Sequence, residues 1–426
     1  MPQPDDDRKK TIEFLKKKFS GYYARAELKF PPELGRREWA FLYFDSKGGM
    51  HRPVVFNSEA DAKKFLPERS PSHVYYSSAY YEDPAVPMAE KKWQGADLIF
   101  DLDADHVAGA EKMSYEEQLR KVKERFIYLV DEFLAKDFVS EKDIEIVFSG
   151  GRGYHAHIRG KKILRMTGPE RREIVDYITA TGIDVSLLFP EKAISVRSFA
   201  HHAKKEFTRP MPKPDEPGWK GRAARGILRL VARWEGLEKA AVVGELMEFE
   251  GIGKVKAERI YKELFEYQEL KGGEITYADE GGRAVTKKMD KIRGVDKLRL
   301  ENNIEYGETT EDFLKFVFWR LGVSEAAETD EPVTSDVKRI IRMPTSLHGK
   351  SGLVVTPLSR KELDAFEPLR DAFPAAFTDS PVKIRVLKPV SIHLKKEYFI
   401  FDESVREVPE YAAIFLMCRG SAVPAE

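Results

Sequence analysis

The sequence predicts an α/β (α+β) fold, a mixed sheet flanked by helices and interrupted by a helical insertion. Three observations carry this prediction. Two short apolar runs, residues 97–104 and 143–148, have strand length and β-favouring composition and bracket a stretch of helical period. A proline-dense segment at 208–218 gives way to a stretch rich in Ala, Leu, Glu and Lys. Alternation of apolar and polar residues then resumes at 329–357 and 380–402.

Taken in order, the first run reads Asp-Leu-Ile-Phe-Asp-Leu-Asp-Ala and the second Asp-Ile-Glu-Ile-Val-Phe. Between them, over 115–138, Leu119, Val122, Phe126, Leu129, Val130 and Phe133 recur at steps of three and four. That is the period of one buried helical face. Pro210, Pro212, Pro214 and Pro217 forbid a regular helix or central strand and mark a boundary. Helical composition follows over 227–270 and continues to about residue 301. The expected segments are 1–204 and 301–426, which together build the sheet layer, and an inserted helical module at 205–300.

Length and charge limit what the chain does. At 426 residues it fits two or three domains, and with 42% hydrophobic and 33% charged residues it reads as an ordinary globular protein. Lys+Arg and Asp+Glu both number 71, so any contact with a polyanion must come from local groups rather than a global field. Cys418 is the single cysteine, which excludes an intramolecular disulfide and any multi-cysteine zinc or iron–sulfur site built by this chain alone. The first ten residues have no apolar signal core, and no stretch approaches the roughly 20 apolar residues that span a bilayer. A cytoplasmic protein with no membrane contact is expected.

Asp101 and Asp103 are two apart at the end of an apolar run, so in a strand they project from one face. Their repulsion is relieved by a hard cation such as Mg²⁺ or Mn²⁺, which prefers oxygen ligands, or by exposure at a solvated strand end. Phe-Asp-Leu-Asp also resembles the nucleophile motif of haloacid dehalogenase-like phosphatases. That motif expects a small hydroxylated or apolar residue where Asp105 stands, and it leaves the next clusters without a task.

The second run enters Ser-Gly-Gly-Arg-Gly-Tyr-His-Ala-His over 149–157. Glycines bring backbone N–H groups close to an anion, Arg152 offers a planar fork to phosphate oxygens, and Ser149 can donate a hydroxyl hydrogen bond. On a strand His155 and His157 share a face, and one of them is open to a purely structural role. A third cluster at 330–352 holds Arg339, Arg342, His348 and Lys350 beside glycines, a composition suited to a polyphosphate. Asp330 and Asp336 are both candidates for a third metal carboxylate, and spacing does not choose between them.

These clusters, in this order, resemble the archaeo-eukaryotic primase family, in particular the archaeal DNA primase small (catalytic) subunits. The resemblance is carried by 95–106, 148–155 and Ser-Leu-His-Gly-Lys-Ser-Gly at 346–352, with flanking similarity at 35–41, 73–78 and 418–422. It implies a primase-type catalytic domain that synthesises short primers from nucleoside triphosphates on single-stranded DNA for replication. A repair polymerase of the same superfamily is the near alternative. The family holds its catalytic metals with the two aspartates of the first motif and a third lying eighteen positions before the Leu-His-Gly histidine. That implies Asp101, Asp103 and, by the resemblance, Asp330 rather than Asp336. It assigns Ser149, Arg152, His155, Arg342 and His348 to the incoming triphosphate, with Lys350, Glu38 and Arg52 as looser matches. A primase large subunit is the implied partner, and any iron–sulfur cluster would belong to it.

One departure stands out. Many relatives carry a cysteine-rich zinc knuckle after the first motif, and this chain has none; His106, His201 and His202 do not replace it, so no structural zinc is expected. Residues 251–260, Gly-Ile-Gly-Lys-Val-Lys-Ala-Glu-Arg-Ile, look like a helix-hairpin-helix turn that presents N–H groups, Lys254 and Lys256 to a DNA phosphate. Arg222, Arg225, Arg283, Lys287, Lys288, Lys291 and Arg293 are the expected cations for template phosphates.

Overall fold

The computed structural model describes residues 4–46, 49–106, 109–199, 202–269, 273–278, 283–301, 303–304, 307–324, 327 and 329–425. The chain forms two compact units, one from Met1–Val175 with Glu328–Glu426 and one from Asp176–Ala327. Helices and antiparallel sheets make up both, an α+β architecture.

Two four-stranded sheets organise the first unit. In one, the order is Thr356–Leu358, Ile144–Phe148, Tyr154–Ile158, Leu98–Leu102, each neighbour antiparallel. Leu98–Leu102 and Ile144–Phe148, the two runs read from the sequence, therefore point the same way with Tyr154–Ile158 between them. The Tyr115–Tyr128 helix makes the crossover. The helix starts at a capping box: Ser114 Oγ accepts the Glu117 N–H at 3.2 Å and Glu117 returns a bond to the Ser114 N–H at 2.8 Å. Past Tyr128 the backbone continues through Leu129–Phe138 in wider turns. All six residues of the predicted apolar stripe are buried. Phe126 stacks on Tyr154 with ring centres 5.4 Å apart, which seats the helix on the sheet.

The second sheet runs Ile340–Arg342, His73–Ser77, Trp39–Leu42, His51–Val54, again antiparallel throughout. A buried ionic joint links the two sheets. Arg37, with no exposed surface, donates from Nη2 to Asp97 Oδ2 at 2.9 Å and from Nη1 to the Ser77 carbonyl at 2.7 Å. Asp97 also accepts from Tyr80 Oη at 2.8 Å and Arg159 Nε at 3.1 Å. Its N–H bonds the Ser78 carbonyl at 2.9 Å, and its own carbonyl accepts from Arg171 Nη1 at 2.8 Å. Both oxygens of the buried carboxylate are thus hydrogen-bonded.

The second unit is larger than the 205–300 segment read from the prolines. Its core joins Phe189 to Ile227, Val231, Trp234, Leu246, Ile260 and Leu264, and then to Phe313, Phe316 and Val317. The chain on both sides of that segment therefore belongs to the same apolar cluster. Nor is the unit purely helical, since hairpins at Lys192–Phe199 with His202–Thr208 and at Glu274–Ala278 with Ala284–Lys288 accompany its helices. The segment read as a helix-hairpin-helix turn lies at the junction of the Lys239–Leu246 and Lys254–Phe265 helices. Gly251 takes φ +103°, and a Cβ at Gly251 or Gly253 would meet open space. Lys256 is held by Asp312 at 3.0 Å. Arg222, expected at a template surface, is instead buried at 2% exposure beside the Trp219 ring, so it serves this unit's packing. His201 lies outside the described residues, as do the side chains of His106 and His202.

Removing Asp97 leaves the buried Arg37 guanidinium without its carboxylate, while Arg159 keeps Glu145. Asp97→Ala is expected to lower unfolding stability by about 3–5 kcal/mol. Breaking the exposed Lys63–Glu59 pair changes it by less than about 1 kcal/mol. Urea denaturation followed by circular dichroism measures both, and a loss below about 1 kcal/mol for Asp97→Ala would contradict the joint.

Candidate active site

The glycine-rich segment is the turn between Ile144–Phe148 and Tyr154–Ile158. It is closed by the Ser149 N–H on the Gly153 carbonyl at 2.9 Å. Ser149 Oγ, which is buried, accepts the N–H groups of Gly151 at 3.3 Å and Gly153 at 3.2 Å. The sequence reading gave those amides to an anion; the serine oxygen takes them instead, and the hydroxyl hydrogen is what Ser149 has left to donate. Gly150 sits at φ +75°, and a Cβ there would lie 2.7 Å from His348 Cβ. At Gly153 a Cβ would lie 2.6 Å from the Leu102 carbonyl and 3.2 Å from Asp103 Oδ2. Only glycine allows the turn to rest against the strand that carries the aspartates.

Strand register places His155 directly opposite Asp101, with Nε2 facing Oδ1 at 3.5 Å. Asp101 and Asp103 are 21% and 31% exposed at their side chains. Arg152 binds Asp105 at 2.7 Å and faces Asp103 at 3.6 Å. Arg342, last residue of its edge strand, pairs in register with Tyr75 and sets its guanidinium 5.6 Å from that ring's centre. Its Nε is buried without a hydrogen-bond partner, a group prepared for an acceptor.

Two cavities meet here. One of about 580 Å³ is lined by Arg152, Arg342, His348, Lys350 and Arg419 together with Asp103, Tyr115 and Gly151. The other, about 430 Å³, is lined by Asp101, Asp103, His155 and Asp336, with Arg52, Arg339 and Arg342. Asp103 and Arg342 line both, so carboxylate and guanidinium groups share the wall between them. Asp330 is tied to the site through its backbone, its N–H bonding the Asp101 carbonyl at 2.9 Å. Asp336 is the later aspartate in the cavity lining. Glu38 stands behind, buried, binding Arg52 Nε at 2.6 Å.

Among the described residues no three Asp, Glu, His or Cys side chains converge closely enough to enclose a metal ion alone. Asp101 and Asp103, hard oxygen donors opening on one cavity, fit a divalent cation that completes its shell with water or ligand oxygens, the usual habit of Mg²⁺. The sequence reading missed Tyr115, Gln118 and Arg419 as cavity residues. Tyr115 had registered only as a helix start, and Arg419 only as part of the flanking similarity at 418–422.

Four histidines line or back this region, and all are held neutral. Burial pushes His155 and His73 down to about 3, with the Arg342 charge adding to the effect. His348 and His157 lie well below the ordinary value, by burial first and then by Arg342 and Arg159 respectively. His157 Nδ1 lies 3.4 Å from the Tyr76 hydroxyl, a structural contact. In the unfolded chain each titrates near 6.5. Below that pH the unfolded state takes protons the native state refuses, so stability falls as pH drops from about 6.5 toward 3. The limit is about 1.4 kcal/mol per pH unit per histidine. Urea denaturation between pH 7 and 5 is expected to show this slope, and His157→Gln to reduce it by one histidine's share. A flat profile would contradict the neutral assignment.

The model of the DNA primase small subunit family matches residues 100–360. The DNA primase small subunit PriS of Methanocella arvoryzae is 38% identical over 97% of this chain and 98% of its own. That of Methanococcoides burtonii is 40% identical over the same shares, and that of Natronomonas pharaonis 34% identical over 98% and 99%. A solved polymerase domain from Mycobacterium tuberculosis Ligase D in complex with DNA covers 83% of this chain and 82% of that one. At 12% identity and a TM-score of 0.29 it carries no argument. Nothing in these matches supports the phosphatase reading of Phe-Asp-Leu-Asp. The chain belongs to the DNA primase small subunit family and is a nucleotidyltransferase.

Proposed function

We propose that this chain is the catalytic subunit that joins nucleoside triphosphates into short primers on single-stranded DNA, with Asp101, Asp103 and Asp330 as its metal ligands. The observation that carries this reading is the shared wall, since Asp103 and Arg342 line both cavities. A triphosphate among the cations then meets the aspartates at one end.

Family membership implies divalent metal use in general, and Mg²⁺ or Mn²⁺ is the proposed form because hard carboxylate oxygens select hard cations. When bound, such ions stabilise the negative charge that develops on the reacting phosphate. The chain's own residues bind and orient. A nucleotide 3′-hydroxyl gives its proton to water as its oxygen bonds to the α-phosphorus of the next triphosphate, the bond to the bridging oxygen breaks, and pyrophosphate leaves. Arg152 and Arg342 grip phosphate oxygens through planar forks. Ser149 and neutral His348 add uncharged hydrogen bonds, and Lys350 a point charge. Neutral His155 packs beside Asp101 without adding a cation to the site.

Asp330 is preferred as third ligand on the resemblance, and its backbone bond to Asp101 supports that choice. Asp336 is the second reading, favoured by its place in the cavity lining. A large subunit that aids initiation completes the proposed enzyme, as the relatives' description as small subunits suggests. Template phosphates would meet exposed Arg283, Lys287, Lys288 and Lys291, with Lys254 beside the Gly251 turn.

Purified protein, with and without a co-expressed large subunit, is incubated with labelled nucleotides, Mg²⁺ or Mn²⁺ and unprimed single-stranded DNA, and the products are resolved on a denaturing gel. Metal-dependent oligomers are expected. Asp101→Ala or Asp103→Ala should reduce them by on the order of a thousandfold, the equivalent of several kcal/mol. Of Asp330→Ala and Asp336→Ala, the first is expected to show the same loss. No oligomers under any of these conditions would overturn the proposal.

A further inference from the structure

Arg419 lines the larger cavity and falls in the 418–422 similarity, yet the proposed mechanism gives it no task. It follows the Glu410–Cys418 helix, which is buried from Glu410 to Met417, and its N–H bonds the Phe415 carbonyl at 3.1 Å. Core packing therefore fixes where the side chain begins. The guanidinium lies 4.2 Å from the centre of the Tyr115 ring and 5.4 Å from that of Phe415. Tyr115 is anchored in turn: its hydroxyl donates to the Gly151 carbonyl at 2.7 Å, and its ring meets Phe415 edge-on at 6.3 Å.

A guanidinium stacked on an aromatic face keeps its N–H donors in the plane of the fork, pointing away from the ring. Arg152 already has Asp105. Among the described residues Arg419 has no carboxylate partner, although its side chain is exposed. An oriented, rigidly seated cation without a counter-charge, in a cavity it shares with Arg152, Arg342, His348 and Lys350, is complementary to a polyanion.

We infer that Arg419, positioned by Tyr115, is a further nucleotide-binding residue that grips the triphosphate of the incoming nucleotide. This rests on the reading that the cavity receives a triphosphate. Because the tie is to phosphate oxygens and not to a base, its contribution is the same for all four nucleotides.

Calorimetric titration of the full chain with inorganic tripolyphosphate, without added metal, tests the inference, since the probe has neither base nor sugar. Arg419→Ala should weaken binding by about ten- to a hundredfold, the range of a charge-assisted hydrogen bond. Arg419→Lys should recover part of it, having the charge without the fork. In primer synthesis the KM for every nucleotide should rise by a similar factor while kcat stays within about threefold. Unchanged thermal unfolding would confirm that the exposed substitution leaves the fold intact. Arg419→Ala that binds tripolyphosphate as tightly as the wild type overturns the inference. So does a variant that loses affinity for nucleotides but not for tripolyphosphate, which would make Arg419 a base contact. Wild-type protein that fails to bind tripolyphosphate overturns the phosphate reading of the cavity itself.

Discussion

A buried guanidinium and a buried carboxylate, Arg37 and Asp97, hold the catalytic unit together at the point where its two sheets meet. Asp97 immediately precedes the Leu98–Leu102 strand, which carries Asp101 and runs into Asp103. Arg37 leads into Trp39–Leu42, whose neighbour His73–Ser77 carries the Ile340–Arg342 strand on its other edge. Fixing one end of each sheet fixes the register at the other, and a slip of one residue would turn Asp101 and Arg342 away from the cavities. The joint is costly to desolvate, and its value lies in position: every group around Asp97 is satisfied only in this arrangement.

The site then balances charge by placement. Asp103 lines one cavity with Arg152, Arg342, Lys350 and Arg419 and the other with Asp101, so a ligand with both a polyphosphate and a divalent ion meets complementary groups in adjoining cavities. Four neutral histidines line or back these cavities. As cations they would add repulsion against Arg342; as neutral rings they pack closely, His73 meeting His348 edge-on at 4.7 Å. Arginine supplies the charge, and histidine supplies shape and hydrogen bonds.

What was legible in the sequence is what is local. The 115–138 helix showed its buried face in the spacing of Leu119, Val122 and Phe126, and the Asp101 strand, the 149–155 turn and the 346–352 cluster each lie within a dozen residues. What was hidden is what tertiary contact makes. Nothing in the chain announces that Arg37 seeks Asp97, sixty residues on, or that Arg419 returns to Tyr115. The amides of Gly151 and Gly153 looked available in sequence because the Ser149 hydroxyl's inward turn is a matter of rotamer. The second unit was drawn too narrow because prolines mark a local break, whereas Phe189 and Phe313 reach its core from beyond the breaks.

The central claim is that the aspartates and the cations serve one bound nucleotide. Pulsed electron–nuclear double resonance on Mn²⁺ bound together with a non-hydrolysable nucleoside triphosphate tests it most directly. The account predicts ³¹P hyperfine coupling typical of direct phosphate contact in the wild type. It predicts loss of that coupling in Asp103→Ala with the nucleotide still bound. Mn²⁺ and nucleotide both bound to the wild type with no ³¹P coupling would contradict it.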